Sequence, residues 1–187
     1  MEIRQFGERS ILVRGRKEAV WFNPRKEDID GYAGEVRVVI FNDAETNFMG
    51  LDEEKKVVIW GPGEYEVAGM EIWGARIDGK GVIYILQMEG IKVGWLSTLR
   101  VELTDKKKEK LSECDVLIVP AEGEIKEIWE KTKSLGESYL VIIGLSGDDQ
   151  KKLLDLADRE DLVPVSVLTV EKESLPEVTE VVLLTAK

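Results

Sequence analysis

The 187-residue sequence predicts an α/β fold in which helices pack over sheet, and three observations predict it. The first half is a succession of short stretches rich in β-branched and aromatic residues, cut at regular intervals by Gly, Pro, Asn and Asp. The second half changes period, with apolar residues recurring at helical spacing between short, wholly apolar runs. Strand then alternates with helix to the end, as expected where helices cover a sheet.

The strands of the first half are Ser10 to Arg14, Ala19 to Phe22, Val36 to Phe41, Val57 to Trp60, Met70 to Ala75, Val82 to Met88 and Ile91 to Leu96. Gly15, Asn23-Pro24, Gly31, Gly61-Pro62-Gly63, Asp78-Gly79 and Glu89-Gly90 punctuate them, and Glu89-Gly90 joins the last two as a hairpin. Beyond them Thr104 is placed to cap a helix running through Leu111 toward Cys114, and Val116 to Pro120 reads as a buried strand. Ile125, Ile128 and Trp129 share one face of a second helix, which Gly136 can end, and Val141 to Gly144 returns to strand. Ser146 caps a third helix that turns Leu153, Leu154 and Leu156 inward, with Asp148 and Asp149 complementing the dipole of its first turn. Strands near Ser166 to Val170 and Val181 to Leu184 close the chain.

Length and composition narrow the function classes. The chain is long enough for one domain with its own core and too short for two ordinary ones, so a single domain over 1–187 is expected. No apolar run approaches the roughly 20 residues that span a bilayer, and Met1-Glu2-Ile3-Arg4-Gln5 lacks the basic-then-apolar order of a signal peptide, so a soluble cytoplasmic protein with no membrane partner is expected. A net charge of −11 disfavours nucleic acid, whose recognition rests on many Lys and Arg contacts to phosphate. Cys114, the single cysteine, reads as a buried and inert thiol. The runs Lys106-Lys107-Lys108 and Asp52-Glu53-Glu54-Lys55-Lys56 read as solvated surface. Abundant Glu and Lys with sparse Asn and Gln match the composition of proteins from hot environments.

Four stretches, in order, carry a resemblance. Gly61-Pro62-Gly63-Glu64-Tyr65-Glu66-Val67-Ala68-Gly69-Met70 is the most specific, Phe22-Asn23-Pro24 ends a strand, Leu96-Ser97-Thr98-Leu99-Arg100-Val101-Glu102-Leu103-Thr104 follows another, and Val116 to Pro120 is a strand ending in Pro. Together they resemble the small single-domain metallo-β-lactamase-fold proteins described as zinc-dependent hydrolases. The resemblance covers nearly the whole chain. It implies a four-layer αββα sandwich of two mixed β-sheets with helices on the outer faces and a metal site at one edge.

That family's first metal motif is His-x-His-x-Asp-His, because imidazoles and a carboxylate from one loop can surround divalent ions and leave a place for water. On the resemblance, those ligand positions fall on Asn42, Ala44, Thr46 and Asn47. The later bridging Asp falls on Thr98, the final His falls near Leu145, and an intermediate His has no counterpart in Ala75-Arg76-Ile77-Asp78. The chain contains no histidine at all, and neutral amide, hydroxyl and alkyl groups replace strong zinc donors at each position. Neither a zinc site nor any other cofactor is therefore expected. Asp43 and Glu45 could supply oxygen ligands to Mg²⁺ or Ca²⁺, but on the inherited loop path they occupy the x positions, which point away from the former metal.

Asp43, Glu64, Tyr65, Trp95 and Ser97 are the candidates to line the former cleft. For two of them a plainer reading stands beside that one, with Tyr65 in the core and Glu64 capping its turn. Trp95 stands where the family has a His, so an apolar side chain is expected to fill space near the former site. No spacing pairs Thr46, Ser97, Thr98, Asp43 or Glu64 as nucleophile and base. The expectation is a pseudoenzyme that acts by binding or assembly, as a homo-oligomer or with a protein partner. The alternative is a metal-independent or altered-metal hydrolase, or a small-molecule sensor, using the remodelled cleft; an open cleft lined by Thr46, Asn47 and Thr98 would favour it, and a cleft packed with Trp95 and Leu145 the pseudoenzyme. A ribonuclease-like RNA binder is a third and weaker reading, given the acidic balance.

Overall fold

The computed structural model describes residues 1–187 apart from Gly31, Ala33, 43–55, 78–80, Val101, Glu160, Asp161 and Lys187. Two mixed sheets stack face to face. The first contains β1 (Glu2–Phe6), β2 (Ser10–Arg14), β3 (Ala19–Phe22), β4 (Val38–Phe41), β5 (Val57–Trp60) and, far along the chain, β12 (Leu168–Thr169), in the order β12-β1-β2-β3-β4-β5. The second contains β6 (Gly63–Val67), β7 (Met70–Arg76), β8 (Val82–Met88), β9 (Ile91–Leu96), β10 (Val116–Pro120), β11 (Tyr139–Ile143) and β13 (Glu180–Val182), in the order β13-β11-β10-β9-β8-β7-β6. β3, β4 and β5 run parallel, as do β9, β10, β11 and β13, while the remaining pairs are antiparallel.

Alternation along each strand divides the apolar side chains between the two faces of each sheet. Ile3, Ile11, Val13, Val20, Phe22, Val38 and Ile40 of the first sheet meet Ile72, Tyr84, Leu86, Val93, Trp95, Ile118 and Val141 of the second, forming the central core. On the outer face of the second sheet, Ile83, Ile85, Leu96, Leu117, Val119, Leu140 and Ile142 pack under α2 (Asp105–Leu111), α3 (Ile125–Thr132) and α4 (Gly147–Ala157) through Leu111, Ile125, Ile128 and Leu153. A smaller cluster around Trp21, Val39 and Phe41 lies on the outer face of the first sheet with Ile29 of the short helix α1 (Lys26–Asp30) and Tyr32. The α/β sandwich expected from the sequence is thus present. No described helix is long and apolar enough to cross a membrane.

Differences from the sequence reading lie at element ends. β4 begins two residues later than the apolar run, β11 begins two residues earlier than Val141, and α3 stops at Thr132, with Gly136 reaching positive φ (85°) only after an intervening turn. Thr104 holds the N-cap position of α2 with extended backbone angles, yet its hydroxyl makes no capping bond. Ser146 does cap α4, its Oγ accepting from the Asp149 N–H at 3.2 Å. β1, with Arg4 and Gln5 between its apolar residues, and the short, Glu-bearing β6 were too polar to read as strands. Of the charge runs, 52–55 lie outside the described residues.

Candidate functional site at the sheet edge

Parallel pairing brings the C-terminal ends of β3 and β4 in one sheet, and of β9, β10 and β11 in the other, to a single edge of the sandwich. There Trp95 ends the inner face of the second sheet and stacks on Phe22, with ring centroids 5.2 Å apart and planes 19° from parallel. Trp95 is 1% exposed, so its indole N–H needs a partner. Asn42 provides it: Trp95 Nε1 donates to Asn42 Oδ1 at 3.0 Å. The Asn42 backbone N–H in turn donates to Asn23 Oδ1 at 3.0 Å, while the Asn23 N–H donates to the Ile40 carbonyl at 2.8 Å. Asn23 adopts positive φ (45°), which Asn tolerates better than most residues and which turns the chain out of β3 into Pro24. One hydrogen-bonded chain, Asn23 to Asn42 to Trp95, therefore spans the gap between the sheets.

Tyr84 closes the next position. Its hydroxyl accepts from the Gly61 N–H at 2.8 Å and lies 3.1 Å from the Gly61 carbonyl and 3.3 Å from that of Phe41. Burial pushes the phenol up to about 12, so it stays a donor at any ordinary pH. Room for the ring comes from Gly74, the residue opposite it on β7, where a Cβ would lie 2.9 Å from Tyr84 Cε1. The Gly-Pro-Gly turn is thus fastened to the end of β4 by one buried side chain. Tyr65 packs half-buried against the central core.

The remaining sequence candidates separate. Ser97 is buried and its Oγ accepts from the Val82 N–H at 2.7 Å, replacing a ladder bond between β8 and β9. Thr98 Oγ1 accepts from the Arg100 N–H at 3.2 Å. Leu145 is half-buried against the helix-side cluster and lines a surface hollow with Gln5, Glu8 and Gln150, so it does not join Trp95. Glu64 neither lines the edge nor caps its turn, because it shares a cross-strand row with Trp73, Ile85 and Gly94 on the outer face of the second sheet. Asp43, Ala44, Glu45, Thr46 and Asn47 lie outside the described residues. Among the described residues no three Cys, Asp or Glu side chains gather to hold a metal ion.

Sequence reasoning missed the roles of Asn23 and Tyr84, and an ion-pair cluster at the same edge. Glu122, just beyond β10, bonds Arg9 of the β1–β2 turn and lies 3.8 Å from Arg100, tying the two sheets together. Asn in Phe22-Asn23-Pro24, where the resembled family has Asp, was the available signal for the first. Nothing in an apolar strand distinguishes Tyr84 beforehand, and long-range ion pairs leave no local trace.

A two-sheet sandwich with loops gathered at one end of parallel strands defines the metallo-β-lactamase class of folds. The chain belongs to the family described as the β-lactamase superfamily domain, whose model matches residues 2–142. It is similar over 98% of both chains to a candidate Zn-dependent hydrolase of the metallo-β-lactamase superfamily from Thermotoga maritima, at 24% identity and a TM-score of 0.77. A metallo hydrolase from Ignicoccus hospitalis aligns over 91% of this chain and 99% of its own, at 13% identity and a TM-score of 0.62. The metallo-β-lactamase fold protein YhfI from Bacillus subtilis aligns over 83% and 91%, at 11% identity and 0.59. No curated protein matches the chain.

Proposed function

We propose that this chain is a non-catalytic member of its family, a cytoplasmic protein that acts by binding or assembly, as a homo-oligomer or with a protein partner. The observation that carries the reading is the fate of Asn42. At the first ligand position of the resembled motif, its side-chain oxygen accepts from the Trp95 indole of a buried, stacked ring. A carboxamide committed in this way is a weak donor for a divalent cation, and moving it would leave a buried indole N–H without a partner. The other matched positions hold Ala44, Thr46, Asn47, Thr98 and Leu145, and the chain supplies no histidine to replace them. This donor set does not fit zinc, so no hydrolytic step is derived through a metal.

A retained sandwich with a self-satisfied edge supports a role carried by shape or surface. The net charge of −11 argues for protein over nucleic-acid partners. The test is hydrolysis of ester and phosphodiester substrates by the purified protein, with and without chelator, beside its oligomeric state by light scattering. The reading predicts no saturable, chelator-sensitive turnover. Strong turnover abolished by chelator would refute it.

A further inference from the structure

We propose that the outer face of β6, β7 and β8, together with the free edge of β6, is a docking groove for an extended basic segment of a partner protein. The inference concerns a different surface from the strand-end edge and stands whether or not that edge binds metal. α2, α3 and α4 pack over the other half of this sheet. Beside α2 lies a groove of about 400 Å³ walled by Glu64, Glu66, Glu71, Lys110 and Glu113 with Trp73 among its floor residues.

Charge identifies the occupant. The strand register sets Glu66 directly opposite Glu71, with Glu64 two residues along the same face of β6. Like charges paired across strands are destabilising, so this arrangement costs the free protein stability. The cations at the far wall are already engaged: Glu113 takes Lys92 at 2.8 Å and Lys110 at 3.2 Å. None of Glu64, Glu66 and Glu71 has an ion-pair partner among the described residues. Basic side chains entering the groove would relieve this repulsion, and the half-buried Trp73 ring offers a face on which an Arg can lie.

The backbone supplies the other half of the recognition. β6 is the terminal strand of its sheet. Its two-residue turn to β7, Ala68-Gly69 with φ of 51° and 78°, makes Val67 and Met70 the hydrogen-bonded closing pair. Counting back in alternation, the N–H and C=O of Glu64 and Glu66 point away from β7, toward the open edge. An added strand would pair with these groups while its alternate side chains project over the acidic groove. A second copy of the chain is the wrong occupant, since β6 against β6 would set Glu64 and Glu66 of one chain against those of the other.

The test is fluorescence anisotropy of two labelled peptides, one alternating Arg with Val and one alternating Glu with Val, against the full chain at low and high salt. The groove predicts saturable binding of the basic peptide alone, weakened by salt. The surface variant E66K/E71K should reduce that affinity by about tenfold or more, equivalent to about 1.4 kcal/mol, with an unchanged circular dichroism spectrum. Three results would overturn the proposal: no binding of the basic peptide, equal binding of both peptides, or equal affinity in the variant. Self-association lost in the variant, without peptide binding, would also overturn it and assign the face to a second copy.

Discussion

The centre of the sandwich and its strand-end edge are built from the same strands but solve different problems. In the centre, Ile, Leu and Val side chains interdigitate, and they carry no polar atoms to satisfy. At the edge the same strands close with Phe22, Phe41 and, one residue before the end of β9, Trp95, and polar groups of the described residues there are satisfied by Asn23, Asn42 and Tyr84. Where the resembled family directs ligands at a metal, the described part of this chain directs donors and acceptors at one another. On the reading proposed above, the edge has been converted from a site into structure on a sandwich of the family's fold.

The strongest way to break the comparison is to remove the side chain that fills the edge. Trp95→Ala should destabilise the fold by about 3–5 kcal/mol, as for a buried aromatic of the core; urea unfolding would measure it, and a loss below about 1 kcal/mol would mean that the edge does not need filling.

A buried group at the opposite end of the sandwich gives a contrast. Glu137, between α3 and β11, is 1% exposed, and neither carboxylate oxygen bonds another described residue. Burial pushes its carboxyl from 4.5 up to about 7, with its own backbone amide opposing the shift less strongly. Because the folded state binds the proton more tightly than the unfolded chain, this group's stability contribution is complete below pH 4.5. It falls as pH rises toward 7, by about 3 kcal/mol at most. Glu137→Gln should flatten that decline, raising stability at pH 8 while leaving pH 4 little changed; thermal unfolding at the two pH values checks it.

Smaller effects sharpen the account. Asn42→Ala removes the partner of the buried Trp95 N–H and should cost about 1–3 kcal/mol, with a change in Trp fluorescence. Arg100→Ala, at a side chain 74% exposed and 3.8 Å from Glu122, should cost less than about 0.5 kcal/mol by urea unfolding.

Most of the scaffold was legible because burial imposes period: β2, β3, β5, β8, β9 and β10 stand where apolar runs and turn residues put them. β1 and β6 escaped notice because edge or polar strands carry weak alternation. At the edge, the place of Trp95 followed from its position in the resembled segment, whereas its bond to Asn42 joins residues 53 apart in sequence and depends on the sheets being stacked. Glu64 was misplaced because a turn motif does not reveal which face of the next strand its residues take. Cys114 behaved as its apolar surroundings suggested: it is buried, and its thiol is pushed up to about 12.

The central claim, that this edge has become structure, is tested most directly by elemental analysis of the purified protein after incubation with Zn²⁺, Mn²⁺ and Mg²⁺ and removal of excess ion. The account predicts no stoichiometric metal. One tightly held ion per chain would contradict it and return the edge to the family's chemistry.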